Sequence, residues 1–383
     1  MKVEWKKMWE VTTWDKRFLG VDKHMQPNVI KYHYYLASEL ADLECVEGDI
    51  RILYTTDKEA YVNSKDVIGN VAEGEVVTIP WGGNVCIKYY KGKCVTADNR
   101  IATSNNTNYL DNKFLYYWML SQKEEIGKMY RGAGIQHPSM MSVLSMRIPL
   151  PTLAEQARIV GILDTFSASI ENLKEQIAQR RKQYEHYRDK LLDLEGKEGV
   201  EMKTLGEVGD ICMCKRILKE QTTNNNDDIP FFKIGTFGGI ADAFISKELF
   251  EEYKTKYSYP KKGEILISAA GTIGRSVVFD GKEAYFQDSN IVWIANNEKL
   301  VTNRFLYYFY QIAEWKTDGG TIKRLYNYNL KNTPIPLPSL QEQSRIVSIL
   351  DTFEASIANL EAQLKERQKQ YEYYRNKLLT FEE

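Results

Sequence analysis

Four histidines, His24, His33, His137 and His186, are the side chains best suited to proton transfer or metal binding near neutral pH. They are scattered, and none falls at a metal-ligand spacing or beside a partner that would make a nucleophile–base pair. Cys212 and Cys214 form a lone C-x-C with no second pair and no nearby histidine, so they read as two small strand residues rather than a metal site. Gly271-Thr-Ile-Gly274 could offer backbone N–H groups to a phosphate, but a tight turn between strands is the preferred reading. The G-x-x-x-x-G-K-[ST] phosphate loop is absent, as is the Asn- or Asp-Pro-Pro-Tyr pattern of amino-methyltransferases. The expectation is a chain with no catalytic residues, no metal and no cofactor of its own.

Length and composition bound the remaining classes. With 383 residues the chain can form two or three domains, each with a core. The start, MKVEWKKMWE, lacks the apolar stretch of a secretory signal, and no window of membrane-spanning length is apolar throughout. Five cysteines, an odd number, suit free thiols in a reducing cytoplasm. The net charge of −1 gives no global attraction to nucleic acid. Residues 1–151 hold 19 Lys+Arg against 18 Asp+Glu, and residues 200–338 hold 18 against 17, so neither half is basic.

What the chain does carry is a duplication. "IPLPTLAEQARIVGILDTF" begins at Ile148, and "IPLPSLQEQSRIVSILDTF" begins at Ile335. About two-thirds of the positions from Ile148 to Glu195 recur, without gaps, from Ile335 to Glu382. The prolines of I-P-L-P forbid helix and predict an extended strap. Thr152 and Ser339 follow as helix N-caps, with Glu155 and Glu342 at capping-box spacing. Apolar residues then run Ile159, Leu163, Phe166, Ile170, Leu173, Ile177, with the matching series Ile346, Leu350, Phe353, Ile357, Leu360, Leu364. Steps of four and three define a heptad seam, which predicts two helices of about 40 residues, each roughly 60 Å long. Arg180 and Arg367 interrupt the seam, as polar residues that set register do. One seam cannot bury itself. Pairing of the two copies within the chain, antiparallel, is preferred over a homodimeric coiled coil because both copies keep the same seam.

The duplication extends beyond the helices. FLYYWML (114–120) matches FLYYFYQ (305–311), GEVVTI (74–79) matches GEILIS (263–268), and Lys16-Arg17 matches Lys215-Arg216. Between these landmarks the signals are short alternating strands and glycine-rich turns, with each FLYY run a short helix packed on the sheet. The reading is an α+β chain. Residues 1–150 form one domain, 151–195 a long helix ended by Gly196–Gly199, 200–337 a second domain, and 338–383 a second long helix.

This order of variable domain, I-P-L-P-x-L-x-E-Q-x-R-I-V-x-I-L-D strap, long helix, and the same again resembles the specificity subunit of a type I restriction–modification system. "KTLGEVGDICMCKR" (203–216) and "GEILISAAGTIG" (263–274) resemble the usual segments of its variable domains, and the likeness covers essentially the whole chain. The first half departs from it where Trp81-Gly82-Gly83 replaces the region of Ala270-Gly271-Thr272.

The resemblance implies two tandem target recognition domains joined by an antiparallel intrachain coiled coil with pseudo-two-fold character. Each domain would read half of a bipartite site in double-stranded DNA, and the helices would set the spacing. Two modification subunits, which bind S-adenosylmethionine and methylate adenine N6, would dock on the chain, and motor-nuclease subunits would join them. The rival reading is a coiled-coil scaffold without a sequence-specific DNA role.

Candidate base readers lie in the polar loops before each strap. They are Arg131, Gln136 and His137 in the first half, and Lys323, Arg324, Tyr326 and Asn327 after Gly319-Gly-Thr-Ile in the second. Arg, Lys, Gln and Asn can pair with guanine and adenine edges. Glu155, Arg158, Glu342 and Arg345 recur at the strap–helix corner, where they would lock the corner or contact the partner subunits.

Overall fold

The computed structural model describes residues 3–69, 71–318 and 323–382. The chain forms two compact units, residues 1–174 with 362–383 and residues 175–361, so each long helix is divided between them.

In the first unit the strap is a strand. β1 (Glu4–Lys7) pairs antiparallel with β6 (Arg147–Leu150), setting Lys6 opposite Ile148 and Trp5 opposite Pro149. A two-stranded ladder leaves each strand an open edge, which tolerates the N–H that proline lacks. The main antiparallel sheet has the order β2 (Thr12–Trp14), β5 (Asn99–Ser104), β3 (Glu75–Pro80), β4 (Lys88–Lys91). Val76, Val77, Thr78 and Ile79 of β3 are all buried, as suits a central strand covered on both faces. A smaller three-stranded sheet joins residues 50–53, 59–62 and 94–96.

Helix α1 (Asn112–Ser121) starts at Asp111, whose carboxylate accepts from the backbone N–H groups of Lys113 and Phe114. It buries Phe114, Tyr117 and Trp118 in the main core, as the aromatic run predicts. Each large apolar side chain so buried stabilises the unit by roughly 1.5–3 kcal/mol.

The second unit repeats this frame. β7 (Glu201–Thr204) pairs antiparallel with β12 (Pro334–Leu337), Lys203 opposite Ile335. Its four-stranded sheet has the order β8 (Gly209–Cys212), β11 (Ile291–Asn296), β9 (Ile265–Ser268), β10 (Ser276–Val278), again antiparallel throughout. The strand order corresponds position by position to that of the first unit. Helix α3 (Asn303–Tyr310) is capped by Thr302 and buries Phe305, Leu306, Tyr308 and Phe309.

The long helices are α2 (Leu153–Leu192) and α4 (Leu340–Leu379), each of 40 residues, the length the seam predicts. In the first unit Ile159 and Leu163 share a core with Leu379, while Phe166 stacks on Tyr374 with centroids 5.3 Å apart. In the second unit Ile346 and Leu350 share a core with Leu192, while Phe353 stacks on Tyr187 at 5.4 Å. Both sets of contacts run antiparallel. The seam arginines lie on rings, Arg367 over Phe166 at 5.6 Å and Arg180 over Phe353 at 5.9 Å, so the polar interruptions are accommodated by cation–π contact. Past α2, Gly196 and Gly199 take φ of +73° and +76°, the left-handed conformation expected at a helix stop.

Candidate nucleic-acid interface

The corner where strap meets helix sets where each polar face can stand. Gln156 and Gln343 are 0 % exposed. Gln156 Nε2 donates to the carbonyls of Tyr109 and Pro151, both at 2.9 Å, and its Oε1 accepts from Asp111 N–H at 2.9 Å. Gln343 repeats the set, donating to Leu300 and Pro338 at 2.9 and 3.0 Å and accepting from Thr302 N–H at 3.0 Å. One amide thus ties strap, long helix and the N-terminus of the aromatic helix together.

A second tie lies eight residues, about two turns, further along each helix. Asp164 accepts from Lys113 Nζ (2.8 Å) and Tyr117 OH (2.6 Å). Asp351 accepts from Arg304 Nε (2.7 Å) and Tyr308 OH (2.6 Å), and Arg304 also reaches Glu354. Sequence reasoning passed over both ties. The signal was present, because Gln and Asp stand at the same places in both copies of E-Q-x-R-I-V-x-I-L-D.

Glu155 and Arg158 form a two-bond ion pair at 2.8 and 2.6 Å, and Glu342 and Arg345 form its copy at 2.7 and 2.6 Å. Thr152 and Ser339 hydroxyls cap the helix N-termini by accepting from Glu155 N–H and Glu342 N–H. The glutamate carboxylates turn to the arginines, which hold both below the usual carboxylate range. Leu153 and Leu340 beside them are 40 % and 42 % exposed.

In the first unit, residues 130–131 pair with 137–138, placing Arg131 opposite His137. Arg131, Gln136 and His137 are all exposed. Gln136 C=O accepts from Gly83 N–H at 3.0 Å, and the His137 ring bonds the Trp81 carbonyl through Nδ1 at 2.7 Å. The loop therefore sits on Trp81, whose ring lies 5.6 Å from that of His137. Behind it is a layered stack. Phe18 is parallel to Trp81 at 6.5 Å, and the Arg100 guanidinium lies 4.8 Å from the Trp81 ring and 4.9 Å from Tyr34. Arg100 Nη1 donates to Asp15 Oδ2 (3.1 Å) and to Tyr34 OH (3.0 Å). Burial outweighs the attraction of Arg100 and pushes the Asp15 carboxyl up to about 6.

In the second unit the face is an open basin of about 600 Å³ lined by Arg216, Lys219, Lys233, Arg324, Asn224 and Asn290 among others. Arg324 Nη2 donates to the Ser289 carbonyl at 2.8 Å, and Arg216 pairs with Asp288 at 3.2 Å. Lys323 and Asn327 are exposed. Tyr326 and Tyr328, 43 % and 56 % exposed, stack on each other at 6.0 Å. Gly319-Gly-Thr-Ile lies outside the described residues.

Both faces adjoin a turn that takes a non-glycine residue to φ +58°, Asp98 before β5 and Ser289 before β11. The Asp98 carbonyl accepts from Trp81 N–H, and the Ser289 carbonyl from Arg324.

The remaining sequence candidates take structural places. Gly271 and Gly274 have φ of +66° and +81° in the turn from β9 to β10, and a Cβ on Gly274 would stand 2.2 Å from Trp315 Nε1. Cys212 ends β8, and Cys214 beyond it is buried, its thiol pushed up to about 12 by desolvation. Among the described residues no cluster of His, Cys, Asp and Glu could hold a metal ion, and no helix is long and apolar enough to cross a membrane.

Two repeated frames presenting different polar faces define a two-headed recognition protein. The model of the type I restriction modification DNA specificity domain matches residues 28–180 and again 197–369. The chain belongs to this family, and its role is DNA sequence recognition. A type I restriction enzyme specificity subunit of Haemophilus influenzae is 45 % identical over 360 residues, covering 88 % of this chain and 89 % of that protein. The EcoR124I/EcoR124II specificity subunit of Escherichia coli is 30 % identical over 322 residues, covering 76 % of each. The fold is shared with the S subunit of the type I system of M. genitalium, at TM-score 0.64 and 17 % identity over 100 % of this chain and 97 % of that one.

Proposed function

We propose that this chain is the non-catalytic address of a cytoplasmic type I restriction–modification complex, reading a bipartite target in double-stranded DNA with one half-site per unit. The observation that carries this reading is the contrast within the molecule. Strap, corner and sheet order repeat, while the polar faces they present do not. In this reading Arg131, Gln136 and His137 approach one half-site, and Lys323, Arg324, Tyr326 and Asn327 the other. Direct contacts to base edges carry sequence information, and phosphate contacts carry orientation.

Two modification subunits dock on equivalent surfaces that include Glu155–Arg158 and Glu342–Arg345. Those subunits hold S-adenosylmethionine and methylate adenine, and motor-nuclease subunits complete the cutting complex. Because neither half is basic overall, the isolated chain binds DNA weakly and with strong salt dependence.

The test is reconstitution with the modification subunits, followed by sequencing of methylated adenines. A motif of two unlike halves separated by a fixed gap is the expected result, with no methylation by this chain alone. Methylation by the isolated chain, or a complex with no sequence preference, would overturn the reading. The second of those outcomes is what a DNA-independent scaffold predicts.

A further inference from the structure

The stack in the first unit contains an ammonium that meets ring faces. Lys16 Nζ stands 5.3 Å from the Trp81 ring centroid and 5.6 Å from that of Tyr34. Among the described residues no oxygen accepts a hydrogen bond from it, so its interactions are with ring faces. Burial, then the like charge of Arg100, weaken its hold on its proton, and only Asp15 opposes them. Beneath it, Asp15 is 1 % and Arg100 4 % exposed, and Asp15 Oδ1 and Arg100 Nε have no hydrogen-bond partner. A buried polar group without a partner costs about 1–3 kcal/mol, so the arrangement is held against its own local preference by the surrounding sheet.

The position of these residues points outward. Lys16 follows β2, and Trp81 follows β3 and carries His137 of the recognition loop on its ring. Trp81 is thus shared by the loop that sequence reasoning selects and by a cationic stack that it does not. An ammonium between two aromatic rings, short of acceptors and half-buried, suits a ligand that brings acceptor atoms. Burial behind it limits solvent competition for that contact.

We propose that Lys16, set against Trp81 and Tyr34, is the acceptor-binding group of the first unit's DNA face, with Arg100 as the positioning residue that Asp15 holds between the two rings. This rests on the DNA-reading function proposed above and deepens it. The ligand chemistry is an acceptor-rich edge of duplex DNA, which either the N7 and O6 of guanine or a backbone phosphate supplies. Arg100 acts through the rings. Its guanidinium fixes their spacing, and its charge disfavours any resting place for the Lys16 ammonium deeper in the stack.

The experiment uses the chain reconstituted with its modification subunits and reads the methylated motif and the DNA concentration dependence. Lys16→Met removes the donor at a half-exposed position and leaves the buried stack in place. If Lys16 meets a guanine, one position of one half-site loses its preference by about tenfold and the other half-site is unchanged. If it meets a phosphate, all sequences weaken alike and the salt slope of binding falls by about 1. Either result supports the proposal.

Arg100→Lys keeps charge but loses the planar layer. It is expected to raise KM for DNA with kcat unchanged and to disturb the same position as Lys16→Met, which a general loss of folding would not do. A Lys16→Met complex with unaltered motif, KM and salt slope would overturn the proposal while the bipartite reading stood. A wild-type complex with no motif at all would remove both.

Discussion

Gln156 in the first unit and Gln343 in the second make the same three hydrogen bonds to corresponding backbone groups, within 0.1 Å of each other. The faces those corners support share almost nothing. The first is a closed stack in which Arg100 lies between Trp81 and Tyr34, and the second is an open basin whose Arg216 and Arg324 are held by Asp288 and the Ser289 carbonyl. The difference shows which parts of the molecule are constrained by geometry and which are free to differ. A buried amide that satisfies three backbone groups has few substitutes, whereas an arginine at a surface can be steadied by an aromatic ring, a carboxylate or a carbonyl.

That comparison can be broken most directly at the corners. Gln156→Ala leaves one N–H and two carbonyls without their partner, at roughly 1–3 kcal/mol each; water reaches the half-exposed Tyr109 side, so a loss toward the low end of that sum, about 3–5 kcal/mol, is expected in chemical denaturation. Gln343→Ala should cost the same. A difference between the two beyond about 1 kcal/mol would mean that the corners are not equivalent after all.

The stack offers a pH test. Asp15 has its carboxyl raised from 3.8 to about 6 by burial, so the folded chain holds this proton more tightly than the unfolded chain. Its contribution to stability is therefore fully present below about pH 4 and is lost as pH rises through 6, at most about 3 kcal/mol in all. Asp15→Asn should flatten that part of the pH profile. If the wild-type and variant profiles run parallel from pH 4 to 7, burial does not govern Asp15.

The smallest effect on stability is expected at the exposed ion pairs. Glu155→Ala and Glu342→Ala should leave the denaturation midpoint unchanged, since such pairs on a helix surface are heavily screened. Capture of the modification subunit by the same variants should fall if these pairs dock it. A stability loss matching that of the glutamine variants would instead return the ion pairs to a role in the corner.

How far the site was legible follows from the same physics. The long helices could be read because their apolar period is local and repeats over five heptads, and Ile159, Leu163, Ile346 and Leu350 are buried as the seam requires. The loop at Arg131–His137 could be picked out by composition. Its neighbours could not, because Lys16, Tyr34, Trp81 and Arg100 come from four separate segments and meet only when β2, β3 and β5 pair. Gln156 was visible as a letter repeated at Gln343, but nothing local indicates that its amide faces inward while Glu155 beside it faces water.

By itself the sequence determined the duplication, the straps and the two helices, since periodicity and proline act over short range, and it favoured their antiparallel partnership. The tertiary structure alone decided that a glutamine fastens each corner, that the seam arginines rest on Phe166 and Phe353, and that one face is stacked while the other is open. Those outcomes depend on which side chains distant strands bring within a few ångströms, and no spacing along the chain encodes that.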